Sequence, residues 1–299
     1  MSTSLQAEWT SQSTSMAKTT EVQVKRLIFV HGGGLILGSR KALLPVHVQA
    51  FVDAGFVFAS IDYRFAPEVR LPEIVSDLED AWAWVSAHAG ELGIDQSRIV
   101  LLGHSAGGFL ALLGGCRLSP RPAAVISVAG YGRLRTEAFM NPSRAYLEQL
   151  GAADETTALN AVGKKVVSGG GPGDSIQWFL GRGHYYLYCR QRGLWLSAIT
   201  DHDPHDDAWY APYEPVRNMT HAYPPTMLLH GEPDSDVPFE ESVQVLRNLG
   251  ELGVECELLA DPDWGHAFIY MTDEPTVRSA WSKMLEFASR HVRVASTSS

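Results

Sequence analysis

Cysteine is scarce. Three residues, Cys116, Cys189 and Cys256, stand far apart in a chain of 299. An odd count without metal-ligand spacing argues against a disulfide framework, and reduced thiols acting as small apolar filler fit best. Long apolar runs are missing as well: no stretch approaches the roughly 18–20 residues that cross a bilayer, so no membrane span is expected. Residues 1–20 are polar and rich in Ser and Thr, with no apolar segment of the kind a secretory leader carries. Residues 1–20 and 294–299 therefore read as flexible termini, and a cytoplasmic location is expected. Basic residues are in deficit, 24 Lys and Arg against 34 Asp and Glu, which gives a formal charge of -10 and a pI of about 5.5. Such a surface disfavours nucleic acid and anionic membranes as partners.

What is present is an α/β pattern. Hydrophobic residues make up 45% of the chain. Apolar strand-like runs at 25–30, 55–61, 98–102 and 123–129 alternate with helix-like segments at 41–54, 73–87 and from 108 onward, the sign of a mostly parallel, doubly wound sheet. Further strands are expected at 226–230 and 254–259, with helices at 239–250 and 275–291. Residues 133–223 are too long for a simple crossover and read as a helical lid inserted before the strand at 226–230. The core would then be 21–132 together with 224–293. The insert carries a glycine-rich stretch (168–174), an aromatic set (Trp178, Phe179, Tyr185, Tyr186, Tyr188, Trp195) and an acidic, His-bearing loop (201–207). Most of these aromatics should pack the lid onto the core, leaving one or two to line an apolar pocket. The acidic loop reads as solvated rather than as a metal site.

One stretch organises the rest. Gly103-His104-Ser105-Ala106-Gly107 joins a buried strand to a buried helix. In that setting G-x-S-x-G is a nucleophile elbow, a strained turn that projects the serine hydroxyl above the sheet. Glycines at 103 and 107 let strand and helix close up, and the Ala106 amide points beside the serine oxygen. Earlier in the chain, His31-Gly32-Gly33-Gly34 follows a strand, where a glycine run frees amides to donate. A serine hydroxyl needs an imidazole base, and the imidazole needs a carboxylate. In the order Ser, acid, His, the acid falls at Asp234 or Asp236, just past the strand at 226–230. The base falls at His266, after Gly265, in the loop past the last strand.

Together with Asp62-Tyr63-Arg64-Phe65-Ala66-Pro67-Glu68, these motifs resemble the α/β-hydrolase superfamily, and within it the hormone-sensitive-lipase-like carboxylesterases. The resemblance spans about 25–130 and 225–290. It implies Ser105 as nucleophile, His266 as base and Asp234 as acid, preferred to Asp236 because relatives carry the acid in Asp-x-x-Val-Pro. It implies an oxyanion hole from the amides of Gly33, Gly34 and Ala106, with no cofactor and no metal. The expected activity is hydrolysis of a small to medium apolar or aromatic carboxylic ester through an acyl-enzyme. A lactone or amide hydrolase, or a biosynthetic acyl transferase, cyclase or lyase with the same triad, is the alternative. The expected partner is a small-molecule ester, and contacts that relatives make through the C-terminal strand and helix point to a homodimer. This chain departs from the pattern at His104, where many relatives have Asp, and at Ala267, where Gly is commoner.

Overall fold

A computed structural model of the chain describes residues 8–9, 24–43, 45–163, 165–169, 176–271 and 273–292. Its strands in chain order are β1 (Glu8–Trp9), β2 (Val24–Val30), β3 (Phe56–Ile61), β4 (Ile94–His104), β5 (Ala124–Val128), β6 (Thr226–Gly231) and β7 (Cys256–Asp261). They form one sheet in the order β1-β3-β2-β4-β5-β6-β7, in which β2 through β7 are parallel. The helices packed on this sheet are α1 (Pro45–Asp53), α2 (Leu71–Ala87) and α3 (Ala106–Arg117), with α11 (Glu240–Glu251) and α12 (Pro275–His291) near the C-terminus. Between β5 and β6 run α4 (Glu137–Met140), α5 (Arg144–Leu150), α6 (Glu155–Asn160), α7 (Ile176–Arg192), α8 (Trp195–Thr200), α9 (Asp207–Tyr210) and α10 (Pro215–Asn218).

Two hydrophobic layers sandwich the sheet, and strand alternation assigns residues to them. Ile28 and Val30 of β2 face Ile74, Leu78, Phe109 and Leu110. Their neighbours Leu27 and Phe29 face Phe51, Trp281 and Met284 of α1 and α12. The central helix α3 is buried from Ala106 through Gly115, which is why its sequence is apolar all round rather than striped.

The element boundaries move slightly from those expected. Helix α1 starts at Pro45 rather than at 41, as proline favours the first helical position. Within the N-terminal stretch 1–20, Glu8 and Trp9 pair antiparallel with Ser60 and Ala59, covering an edge that β3 would otherwise leave unpaired. The remainder of both expected flexible termini, and 170–175 of the glycine-rich stretch, lie outside the described residues.

The strand order fixes where a site can form. From β2 the chain moves to β3 on one side and then to β4 on the other, so order reverses between β2 and β4. A crevice opens beyond the C-terminal ends of strands at such a switch point. The residues that emerge there are His31 after β2 and Ser105 after β4, since Val30 pairs with Gly103.

Candidate active site

Ser105 occupies a left-handed backbone conformation, φ 55° and ψ -121°, that a non-glycine residue rarely adopts. The close packing around it explains the motif. A Cβ on Gly103 would lie 1.9 Å from the Gly107 carbonyl oxygen, and one on Gly107 would lie 2.0 Å from that of Val30. Only hydrogen fits at either position, so the turn can be as sharp as it is.

His266 reaches the serine from the loop after β7. The Ser105 hydroxyl donates to His266 Nε2 at 2.9 Å, and His266 Nδ1–H donates to Asp234 Oδ2 at 2.8 Å. The second oxygen of Asp234 accepts the amides of Asp236 at 2.9 Å and Val237 at 3.0 Å. His230, buried under the loop, approaches Asp234 Oδ2 at 3.3 Å. Burial opposes ionisation of Asp234, but hydrogen bonds from His230 and His266 hold it well below the usual carboxylate range. For His266, burial disfavours the charged form, and the charge of Asp236 with the hydrogen bond and charge of Asp234 outweigh it, so its pKa is raised.

The glycine loop stands opposite. Gly33 and Gly34 have φ 112° and 59° and line the cavity beside Ser105. The third expected donor, Ala106, begins α3 directly after the serine. Beneath the loop, Tyr63 donates to the His31 carbonyl at 3.1 Å, and His31 Nδ1–H donates to the Gly32 carbonyl at 2.7 Å. The charged segment 62–68 therefore braces the site: Asp62 binds Arg40, Arg64 bonds Asp77 at 2.9 Å, and Glu68 bonds Arg182 at 2.9 Å.

Several contacts carry no sequence motif. The β5–β6 segment sends Trp195 Nε1–H to the Gly34 carbonyl at 2.8 Å and Arg182 to the carbonyls of Ile36 at 2.5 Å and Ala66 at 2.6 Å. Of the aromatic set, Tyr185, Tyr188 and Trp195 are buried in the core, while Tyr186 lines the cavity. The side chains of Trp178 and Phe179 lie outside the described residues. Asp236, the other candidate acid, does not reach Nδ1; its Oδ2 lies 3.4 Å from Nε2, on the Ser105 side of the ring. His104 of the elbow accepts from Tyr270 at 3.2 Å and donates to the His266 carbonyl at 3.1 Å. Elsewhere on α7, Tyr186 and Arg190 stand at i, i+4 and both meet Asp236, a spacing that the sequence does display.

The cavity holds about 560 Å³ and is mainly apolar, with Gly33, Gly34, Leu37, Ala42, Tyr186 and Tyr270 in its wall beside Ser105 and His266. Among the described residues no cluster of three or more His, Cys, Asp or Glu could hold a metal ion, and no helix is long and apolar enough to cross a membrane. In the acidic loop, His202 donates to Asp206 at 2.9 Å and Asp207 pairs with Arg217 at 2.6 Å. The thiols of Cys116, Cys189 and Cys256 are free.

A parallel sheet with its switch-point crevice, a strained serine on the strand-to-helix turn and a His–Asp pair beyond it define an α/β-hydrolase. The chain belongs to the BD-FAE family, whose model matches residues 14–249. It is similar to non-reducing polyketide synthase Preu6 of Preussia isomera, 28% identical over 269 residues, which is 81% of this chain and 12% of that protein. The chain thus spans about an eighth of that synthase's length. Lipase 2 of Moraxella sp. is 36% identical over 102 residues, covering 34% of this chain and 24% of the lipase. Among solved structures, a bacterial heroin esterase superposes with a TM-score of 0.66 at 22% identity, covering 97% of this chain and 85% of the esterase.

Proposed function

We propose that this chain is a serine hydrolase that cleaves carboxylic esters of small to medium apolar or aromatic character. The carrying observation is the continuous contact from Ser105 Oγ through His266 to Asp234, at 2.9 and 2.8 Å, opening on a mainly apolar cavity of about 560 Å³. In the first step Ser105 Oγ attacks the ester carbonyl carbon while its proton passes to His266 Nε2. Asp234 holds the Nδ1 proton and stabilises the imidazolium. The amides of Gly33, Gly34 and Ala106 serve as oxyanion donors, each worth roughly 3 kcal/mol of barrier. His266 then gives its proton to the leaving alkoxide, and the bond to it breaks. Water attacks the acyl-enzyme by the same route in reverse and frees the carboxylic acid. Residues 133–223 serve as the cap over residues 21–132 and 224–293.

The Preu6 likeness favours a second reading, in which the same triad carries out biosynthetic acyl transfer, cyclisation or lyase chemistry. Hydrolysis of p-nitrophenyl esters from acetate to octanoate, with Ser105→Ala beside the unaltered protein, separates the readings. Steady turnover lost by at least about a thousandfold in the variant is the expected result. A stoichiometric burst without turnover supports the second reading. Neither burst nor turnover in folded protein overturns both.

A further inference from the structure

Asp236 is buried, yet it lines the cavity, and nothing in the triad chemistry uses it. Two side chains of α7 hold it. Tyr186 donates its hydroxyl to Asp236 Oδ1 at 2.7 Å, and Arg190 pairs with the same oxygen at 2.9 Å. Arg190 also donates to the Asp236 carbonyl at 2.9 Å, fixing the peptide as well as the side chain. The Tyr146 hydroxyl of α5 also bonds this carboxylate, and Oδ2 faces His266 Nε2 at 3.4 Å, the nitrogen that accepts from Ser105.

We infer that Asp236, clamped by Tyr186 and Arg190, is a positioning residue on the nucleophile side of the base, which meets the Nε2–H of His266 once that nitrogen has taken the serine proton. The inference rests on the triad reading given above. Its logic is differential. In the neutral imidazole the lone pair of Nε2 faces Asp236, and a carboxylate beside a lone pair is unfavourable. An imidazolium turns an N–H toward the same carboxylate, which is favourable. Asp236 therefore stabilises the state that exists only while the serine is reacting, the kind of interaction that raises turnover rather than substrate binding.

The same charge must also favour protonation of the resting base. Other groups face the ring. Asp234 shares the acid loop, with His230 behind it. His104 lies 5.2 Å away between ring centres, with Tyr270 bonded to it. Arg190 and Tyr186 approach from α7, and the Tyr146 ring of α5 packs on both. Among these, Asp236 and Asp234 raise the pKa of His266, while Arg190 opposes them.

The test is the pH dependence of ester turnover in Asp236→Asn, which keeps an acceptor for Tyr186. On the alkaline plateau kcat/KM should fall roughly two- to tenfold, mostly in kcat. The acid limb should move to lower pH, because the base of the variant loses its proton more readily, so the two profiles approach or cross in acid. An unchanged profile, or a uniform loss at every pH, overturns the inference. Tyr186→Phe removes one clamp and should move the limb the same way by less. A readout independent of turnover is the NMR titration of the His266 ring in Ser105→Ala. Adding Asp236→Asn should lower its midpoint, and an unmoved midpoint overturns the inference. Ester turnover persisting in Ser105→Ala would instead overturn the triad reading.

Discussion

The nucleophile turn and the segment between β5 and β6 both shape the same cavity, but they are held by different physics. At the turn, backbone meets backbone: Gly103 against Gly107, and Gly107 against Val30, at separations that admit no Cβ. In the inserted segment, long polar side chains reach carbonyls of three loops, the glycine loop, the 62–68 segment and the loop after β6. Arg182 takes those of Ile36 and Ala66, Trp195 takes that of Gly34, and Arg190 takes that of Asp236. The first arrangement is rigid because it has no alternatives. The second is rigid because buried polar groups left without partners are costly. A site can therefore keep its central serine on backbone geometry while its walls are set by exchangeable side chains.

Two glycines offer the strongest way to break that distinction. Gly107→Ala places a methyl 2.0 Å from the Val30 carbonyl oxygen, which only a shift of α3 against β2 can relieve. A loss above about 4 kcal/mol is expected, read as insoluble protein or a collapsed melting transition. Gly34→Ala also adds a methyl, but the nearest atom is the ring edge of Tyr186 at 2.2 Å, and φ is 59°. A side chain can swing where a carbonyl cannot. Gly34→Ala should stay folded, with turnover falling much more than melting temperature. Equal collapse of both variants would show that the insert is as unyielding as the elbow.

Arg182 sharpens the comparison from the other side. Its side chain is 1% exposed and Glu68 is 5% exposed, so the pair is buried. Arg182→Met keeps the stem and strands the carboxylate, at a cost of about 3–5 kcal/mol in urea unfolding. The pH dependence has a definite sign. Burial raises the pKa of Glu68, but its bonds to Arg182 outweigh that and hold it below the ordinary value. The stability it contributes is present above the unfolded pKa and is lost as pH falls through the folded one. The gap between Arg182→Met and the unaltered protein should therefore narrow in acid. Adding Glu68→Gln to Arg182→Met should recover part of the loss.

This difference in physics also decides what the sequence could reveal. Where only glycine fits, the constraint leaves a spelling: Gly103, Gly107 and Gly33-Gly34 mark the elbow and loop. Apolar runs alternating with helix-like segments marked a mostly parallel, doubly wound sheet, but they carried neither its strand order nor the residues of each layer. The order Ser, acid, His followed because the acid and base loops leave successive strand ends, and the structure brings Ser105, His266 and Asp234 together. Asp236 could not be separated from Asp234 on position alone, as the two differ only in which ring nitrogen they reach. The insert was legible as long, helical and aromatic. Its working residues were not, because a hydrogen bond from Trp195 to a carbonyl 161 positions away imposes no local pattern. The two-residue strand Glu8–Trp9 was hidden for a similar reason, since a pairing that short has no periodicity.

The smallest expected effects give a close comparison, because each removes one hydrogen bond and keeps an aromatic ring, although Trp195→Phe also trims a buried indole packed on Tyr131 and Phe139. On the core side, His104 is pushed down to about 3 by burial, with the nearby His266 adding to it, so it stays neutral at working pH. The Tyr270 hydroxyl, whose pKa burial raises to about 12, keeps its proton and donates to Nδ1, which leaves Nε2–H for the His266 carbonyl. Tyr270→Phe frees that tautomer and loosens the base loop. On the insert side, Trp195→Phe keeps an aromatic ring but releases the Gly34 carbonyl, loosening the peptide next to a proposed oxyanion donor. A hydrogen bond of this kind is worth about 1 kcal/mol net, so each variant should lower kcat roughly fivefold. KM should change less than kcat, because Phe keeps the ring at 270 in the cavity wall and Trp195 is not among the residues lining it. Similar losses would mean that the insert holds the glycine loop as firmly as the core holds the base. A much larger loss in Trp195→Phe would mean that the oxyanion loop depends on the insert for its shape. A negligible one would mean that His31 and Tyr63 beneath the loop suffice, and that the insert only walls the cavity.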